Sequence, residues 1–442
     1  MSLFKHIYLL IVISILFLAC NSSGCNNESE PTDACSNLIK DASEDGIDCG
    51  GNCIPCEVVS DKELIIIDNA VTDHAEAVSG KLSFGHLIRS LAGSSDPGIL
   101  VKSIFSNWNS DFQVIGTNSI APSRSGVNDF LTKWQTSDGH TGNITDWVPD
   151  VDNAPFRLLG ITNRLDLKDT LSGSAGEGRF TFCAFDPSDV SKSPLTFNLI
   201  FEYNLPGDSK EDCAKWTTQW HKLSEVGLTN DQYIDSLISV TEQFVTVNEL
   251  NQLRSNDFEF ELVWELREFR HNESTNSFEP QFLSKTPDVA FNGTTRLRDE
   301  INNLQSELDN HESYEFPLDM RSASAVPRTA PSSSKNNPNF MWNTLNADSG
   351  EKASINTCNG CHMGHGDNDA MKFLHMKPRD IGESTQISNR LDGADRTFRI
   401  INMERLLEFQ NPITLANARV SFDSGIDSIQ LINFIEAHVS GH

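Results

Sequence analysis

Pro194-Leu195-Thr196-Phe197-Asn198-Leu199-Ile200-Phe201-Glu202-Tyr203 is the stretch whose reading decides the fold. Bulky apolar residues recur at every second position, the period of a strand with one buried face. Upstream, Phe156–Asp166 and Arg179–Phe185 carry the same strand character, with the Gly-rich run Ser174-Ala175-Gly176-Glu177-Gly178-Arg179 read as a turn leading into the second. Downstream, two helical segments (Cys213–Val226 and Asn230–Val247) precede a further alternating stretch, Phe258–Phe269. Hairpin-like spacing implies an antiparallel sheet, and the reading is therefore α+β, an antiparallel sheet with flanking helices.

The helices that flank this block announce themselves by their ends. Leu82–Leu91 has helical periodicity and stops at Gly93, and Asp96-Pro97 restarts a helix towards Trp108, with Pro97 suited to a first helical position. Val127–Trp134 is a third candidate, and Leu297, Ile301, Leu304 and Leu308 line one face of a fourth. Trp216 and Trp220, at i and i+4, read as a core-facing stripe. A Pro-, Ser- and Asn-rich stretch, Val326–Pro338, then reads as a loop or linker. Domains follow as 1–19, 20–60, 61–350 and 351–442.

The last of these contains Cys358-Asn359-Gly360-Cys361-His362, the attachment signature of a c-type haem. Two thiols three positions apart add to vinyl groups from one side, and the adjacent imidazole becomes the proximal iron ligand. A disulfide, a thiol redox pair and a zinc site with a fourth ligand remain open as alternatives. For the sixth iron position the order is His375, then Met376 or Met403, then no protein ligand. Met371 also lies in range, whereas Met363 and His365 stand too close to His362 to reach the opposite face. Arg379 is a candidate partner for a haem propionate. Helical candidates at Arg396–Phe409 and Ile426–His438 make this segment mainly helical. No convincing helix runs up to Cys358, a departure from the order usual in cytochrome c domains.

At the other end, Lys5 and His6 precede an apolar run from Ile7 to Ala19, too short to span a membrane and ordered like a secretory signal. Phe17-Leu18-Ala19-Cys20 resembles a bacterial lipobox, although Phe17 stands where Leu is usual. The resemblance implies Cys20 as a lipidated first residue and, with Asn21 after it, an outer-membrane lipoprotein, periplasmic or surface-facing. Ten cysteines fit an oxidising compartment. Cys183 and Cys213 are a possible pair, Cys25 is left over, and Cys35, Cys49, Cys53 and Cys56 allow two disulfides of open connectivity. The segment Asp45–Cys56 resembles a small Cys-rich module of exported bacterial surface proteins, which implies a stapled stalk.

A net charge of −28 argues against nucleic-acid binding, because phosphate is repelled. It suits docking to a basic redox protein. The stretches Phe156–Asp166, Gly176–Phe182 and Leu195–Tyr203, followed by the Cys-Asn-Gly-Cys-His run, resemble a group of exported bacterial proteins that carry one such motif. That resemblance implies one continuous unit ending in the haem segment and supplies no reaction.

The expectation is an envelope lipoprotein with one covalent haem c, acting in electron transfer with a redox partner. An alternative is an enzyme or binding protein, if an enzyme a haem-dependent oxidoreductase, with a pocket built from Asn163, Arg164, Asp166, Glu177, Arg179 and Glu202. The same six residues equally suit a buried ion-pair network. A third reading is a surface scaffold lipoprotein with Cys358 and Cys361 as a disulfide.

Overall fold

The computed structural model describes residues 61–76, 80–113, 117–168, 173–225, 231–303, 315–326, 357–364, 374–392, 399–400, 403 and 407. The signal, Cys20, the Cys-rich module, the Pro/Ser stretch beyond Val326, His365, Met371 and most of the C-terminal helical candidates lie outside them. The described residues belong to one compact unit.

Its centre is a seven-stranded antiparallel sheet in the order β1-β4-β5-β6-β7-β8-β9. The strands are β1 (Ile65–Ile66), β4 (Phe156–Arg164), β5 (Ser174–Phe185), β6 (Pro194–Pro206), β7 (Leu250–Asp257), β8 (Glu265–Asn272) and β9 (Ser277–Gln281). Two short pairs accompany it, β2 (Phe112–Gln113) with β3 (Ile120–Ala121) and β10 (Leu283–Pro287) with β11 (Arg321–Ser322). The α+β reading is borne out.

Register assigns every side chain of the sheet to one of two faces. On the first face Phe182 opposes Leu158 and Leu199, and Phe180 opposes Ile161 and Phe201. This face meets helices α1 (Phe84–Ala92), α2 (Pro97–Ser106), α3 (Gly126–Ser137), α4 (Lys210–His221) and α5 (Asp231–Thr241) in one continuous buried core. The ends of these helices follow their caps. Ser83 accepts from His86 N, Asp96 from Gly98 N with Pro97 in the first turn, and Ser209 from Asp212 N. α1 ends at Gly93, whose φ of 57° lies in the left-handed region. Trp216 and Trp220 are buried as the stripe required. In α6 (Thr295–Asn303), Leu297 and Ile301 are buried too. Among the described residues no helix is long and apolar enough to cross a membrane.

The second face is polar. Across it run Arg157, Cys183, Asn198 and Asn256 in one row, and Thr181, Ile200, Arg254 and Glu268 in another. Residues 374–388 lie over this face. Asn198 Nδ2 donates to Met376 O at 2.9 Å, Arg157 Nη1 to Arg379 O at 2.6 Å, and Thr385 Oγ1 to Leu159 O. Gly160 lets β1 and Ile67 approach β4, since a side chain there would meet Ile66 O and Ile67 at 3.0 Å.

Four expectations change. Ser174–Arg179 is strand, not turn, and the left-handed Gly173 makes the turn before it. Residues 258–264 are a loop, and the partner of β6 is β7, whose Leu-Asn-Gln-Leu-Arg-Ser-Asn-Asp sequence hides strand periodicity because its outward face is polar. Cys183 and Cys213 are both buried and unbridged; one sits mid-strand in β5 and the other in the first turn of α4. Arg379 clamps the outer layer, donating to Asp73 and to Leu158 O on β4.

Candidate functional site

The motif is helical. α7 (Cys358–Gly364) carries both thiols and His362, and the Cys361 amide donates to Thr357 O at 2.8 Å. At 100° per residue, positions 358, 361 and 362 fall on one side of a helix. α7 packs on the polar side, where Cys358 N donates to Thr286 Oγ1 on β10 at 3.2 Å. A small separate core of Trp264, Leu266, Leu283, Ala325 and Leu374 lies beneath, with Cys358 against it.

His362 is buried, with its ring stacked on Trp264 at 4.8 Å between centroids and 29° between planes. On its other neighbour, His375, the centroids are 4.2 Å apart. His375 Nε2 stands 3.4 Å from Cys361 Sγ, and its Nδ1 is 2.9 Å from Ser388 Oγ. The backbone closes the same pair, as Ser388 N donates to His375 O and Lys377 N to Gln386 O. His375 is thereby held by a hairpin-like excursion, and a hydrogen bond on Nδ1 leaves Nε2 to act towards Cys361 and His362.

Of the described candidates for the sixth ligand, His375 is the one set against His362. Met376 is buried over Gly160, and Met403 accepts from Asn163 Nδ2 at 3.5 Å within the main core. Burial, and then the Glu268 carboxylate, push the Cys358 thiol up to about 11. A redox thiol wants the opposite shift. Among the described residues no three His, Cys, Asp or Glu side chains gather as a metal-holding group. A haem asks less of the protein: two thiols and one or two axial ligands.

In kind, two thiols and an imidazole within one helical turn are the donors that a c-type haem uses. The two imidazoles lie in contact, so a macrocycle between them requires one ring to move away from the other.

The six residues proposed as a pocket are split. Arg164 binds Asp166 in bidentate fashion, and Asn163 turns away to Glu63 O and Met403. Glu177, Arg179 and Glu202 join a chain of ion pairs. Glu202 accepts from Arg254 at 2.8 Å and lies 3.3 Å from Arg179, while Arg254 also binds Glu268 at 2.7 Å. Burial works against the Arg254 charge, yet Glu202 and Glu268 hold it well above the ordinary guanidinium range. This is the arrangement of a structural network. A cavity bounded by Ser119, Asp288, Phe291 and Asp319 is lined by none of the residues singled out.

Trp264, Thr286 and Ser388 were not foreseen. Trp264 lay inside a stretch read as strand, and nothing local marks Ser388 as a partner of His375. No family model, curated protein or solved structure matches the chain.

Proposed function

We propose that this is an exported, lipid-anchored envelope protein that carries one covalent c-type haem and passes single electrons. Cys358 and Cys361 are the thioether anchors, His362 the proximal ligand, His375 the distal ligand and Cys20 the lipidated residue. Residues 351–442 form a mainly helical haem-bearing segment, and the localisation is the outer membrane. The observation that carries the reading is α7, which sets Cys358, Cys361 and His362 on one side of one helical turn. His375, thirteen residues beyond His362, lies with its Nε2 3.4 Å from Cys361 Sγ and its ring against His362, and would swing off that ring to serve as the distal ligand.

Bound there, the group supplies one-electron ferric–ferrous chemistry, and two imidazoles give it a lower potential than a Met–His pair. The chain does the rest. α7 puts both sulfurs and an imidazole on one side. Ser388 Oγ lies 2.9 Å from Nδ1 of His375, and in the tautomer that donates to it Nε2 would be the ligating nitrogen. Trp264 fixes the plane of His362 from behind.

The test is to export the chain in a host with haem c maturation and record the pyridine haemochrome after denaturation. One covalent haem per chain is expected, and His375→Ala is expected to keep that haem while changing the axial-ligand spectrum. Cys358 and Cys361 recovered as a disulfide or on zinc, with no haem, would overturn the reading.

A further inference from the structure

The loop between β7 and β8 offers a surface connected directly to the site. Leu262 is 89% exposed and Val263 41% exposed, the one adjacent pair of exposed large apolar residues among the described residues. Isolated exposed apolar residues are ordinary and ask for no explanation. This pair differs because its loop is pinned on all sides.

Glu259 accepts from Thr196 N and Oγ1, Glu261 accepts from Ser125 N and Oγ, and Val263 O accepts from Arg124 at 2.8 Å. Phe260 is buried in the core, and its amide and that of Glu259 donate to Asp257. A loop so fixed presents Leu262 outward at little further entropic cost on binding. The next residue is Trp264, which is fully buried and stacked on His362. From open solvent to the imidazole is a step of one ring.

We propose that residues 259–264 are the electron-exchange face of the protein, with Leu262 and Val263 as the contact and Trp264 as the bridge to His362. The proposal rests on the haem reading of the site. The occupant is a basic one-electron redox protein whose apolar cofactor edge is ringed by Lys and Arg. Two exposed acidic residues, Glu259 and Glu261, immediately precede the apolar tip in the same loop, and the chain carries −28 overall, so such a partner is drawn in and a like-charged one is repelled. With haem c held by Cys358, Cys361 and His362, its ferrous iron would give up one electron by way of Trp264 and the partner would take it up; no bond breaks and no proton moves.

The test uses the full chain with a basic cytochrome c as probe. Calorimetric titration at two salt concentrations compares wild type with Leu262→Ser and with Val190→Ser, a fully exposed apolar residue elsewhere. Leu262→Ser is expected to weaken binding about tenfold, the worth of one buried apolar side chain, and Val190→Ser to leave it unchanged. At saturating partner, Trp264→Leu is expected to slow transfer in stopped flow with affinity unchanged, and Trp264→Phe, which keeps a ring against His362, to keep the wild-type haem spectrum and restore part of the rate.

Equal binding by wild type and Leu262→Ser, or equal weakening by Val190→Ser, overturns the docking face. So does self-association in sedimentation that Leu262→Ser abolishes, since the occupant would then be a second copy. The titration is repeated on the haem-free Cys358→Ala/Cys361→Ala chain. Docking retained there, beside a wild-type chain without haem, separates failure of the haem reading from failure of this one.

Discussion

The two faces of one sheet in this protein are built from opposite chemistry. One face presents Phe180, Phe182, Phe197, Leu199 and Phe201 to helices, and aromatic rings pack on one another across the gap, as in the Phe84–Phe156 stack at 4.3 Å. The other presents Arg157, Asn198, Asn256, Arg254 and Glu268 to an irregular layer that contains His375 and α7. Apolar contact is non-directional and tolerates sliding; hydrogen bonds and ion pairs fix a layer in register. The apolar face supplies most of the folding free energy, and the polar face sets positions. His362 and His375, brought together across a stretch of intervening chain, belong to the second.

Substitutions that strike one face at a time sharpen this division. Phe182→Ala on the apolar face is expected to cost about 3–5 kcal/mol in urea unfolding. The haem-to-protein ratio and axial-ligand spectrum of the molecules that remain folded should not change. Arg379→Met on the polar side removes a clamp whose side chain is 2% exposed, leaving Asp73 and Leu158 O without it. The expected loss is about 3 kcal/mol, and here the spectrum should change before unfolding, because the layer that carries His375 is loosened. Identical spectra in the two variants would erase the distinction between the faces.

The apolar face has one charged exception at its end. Arg124 pairs with Asp257 at 2.6 Å and with Glu265 at 2.8 Å, and Arg267 pairs with Glu265 at 2.8 Å. Burial pushes the Asp257 carboxyl from 3.8 up to about 6, against the pull of Arg124. Folded Asp257 holds its proton more tightly than the unfolded chain does. Its contribution to stability is therefore complete below the unfolded value and is lost as pH rises through about 6. The expected effect is on the order of 3 kcal/mol. Denaturant titrations between pH 4 and 7 check it: Asp257→Asn should lack this downward slope, and an unchanged slope would place the proton elsewhere.

The smallest effect belongs to the site. Ser388→Ala removes the partner of His375 Nδ1 at a cost of about 1 kcal/mol or less. Haem attachment should persist, with a shifted reduction potential and a broadened axial-ligand signal. Potential and line shape equal to wild type would mean that the backbone bonds between 375 and 388 alone orient the ring.

Several parts of the molecule were legible one residue at a time. β6 was readable because Phe197, Leu199, Phe201 and Tyr203 share a face that is buried in apolar contacts, and burial leaves period two in the sequence. The starts of α1 and α2 were readable because Ser83, Asp96 and Pro97 act within a turn of their own position. β7 was not, since its polar alternate positions, Gln252, Arg254 and Asn256, meet partners supplied by other strands. Residues 258–264 misled in the reverse sense: Phe260 is buried and Glu259 and Glu261 face out, the alternation of a strand, in a loop held by side-chain bonds.

The sequence by itself determined the local geometry of Cys358, Cys361 and His362, because the three act within one helical turn and their spacing is their geometry. It also determined the fold class, through the apolar face. Only the tertiary structure decided which distant residue faces His362, that Met376 and Met403 belong to packing, that Arg379 is a clamp, and that Trp264 stands between His362 and the surface. Those are contacts between elements far apart in the chain, set by directional bonds on the polar face, and a directional bond leaves no period in a sequence.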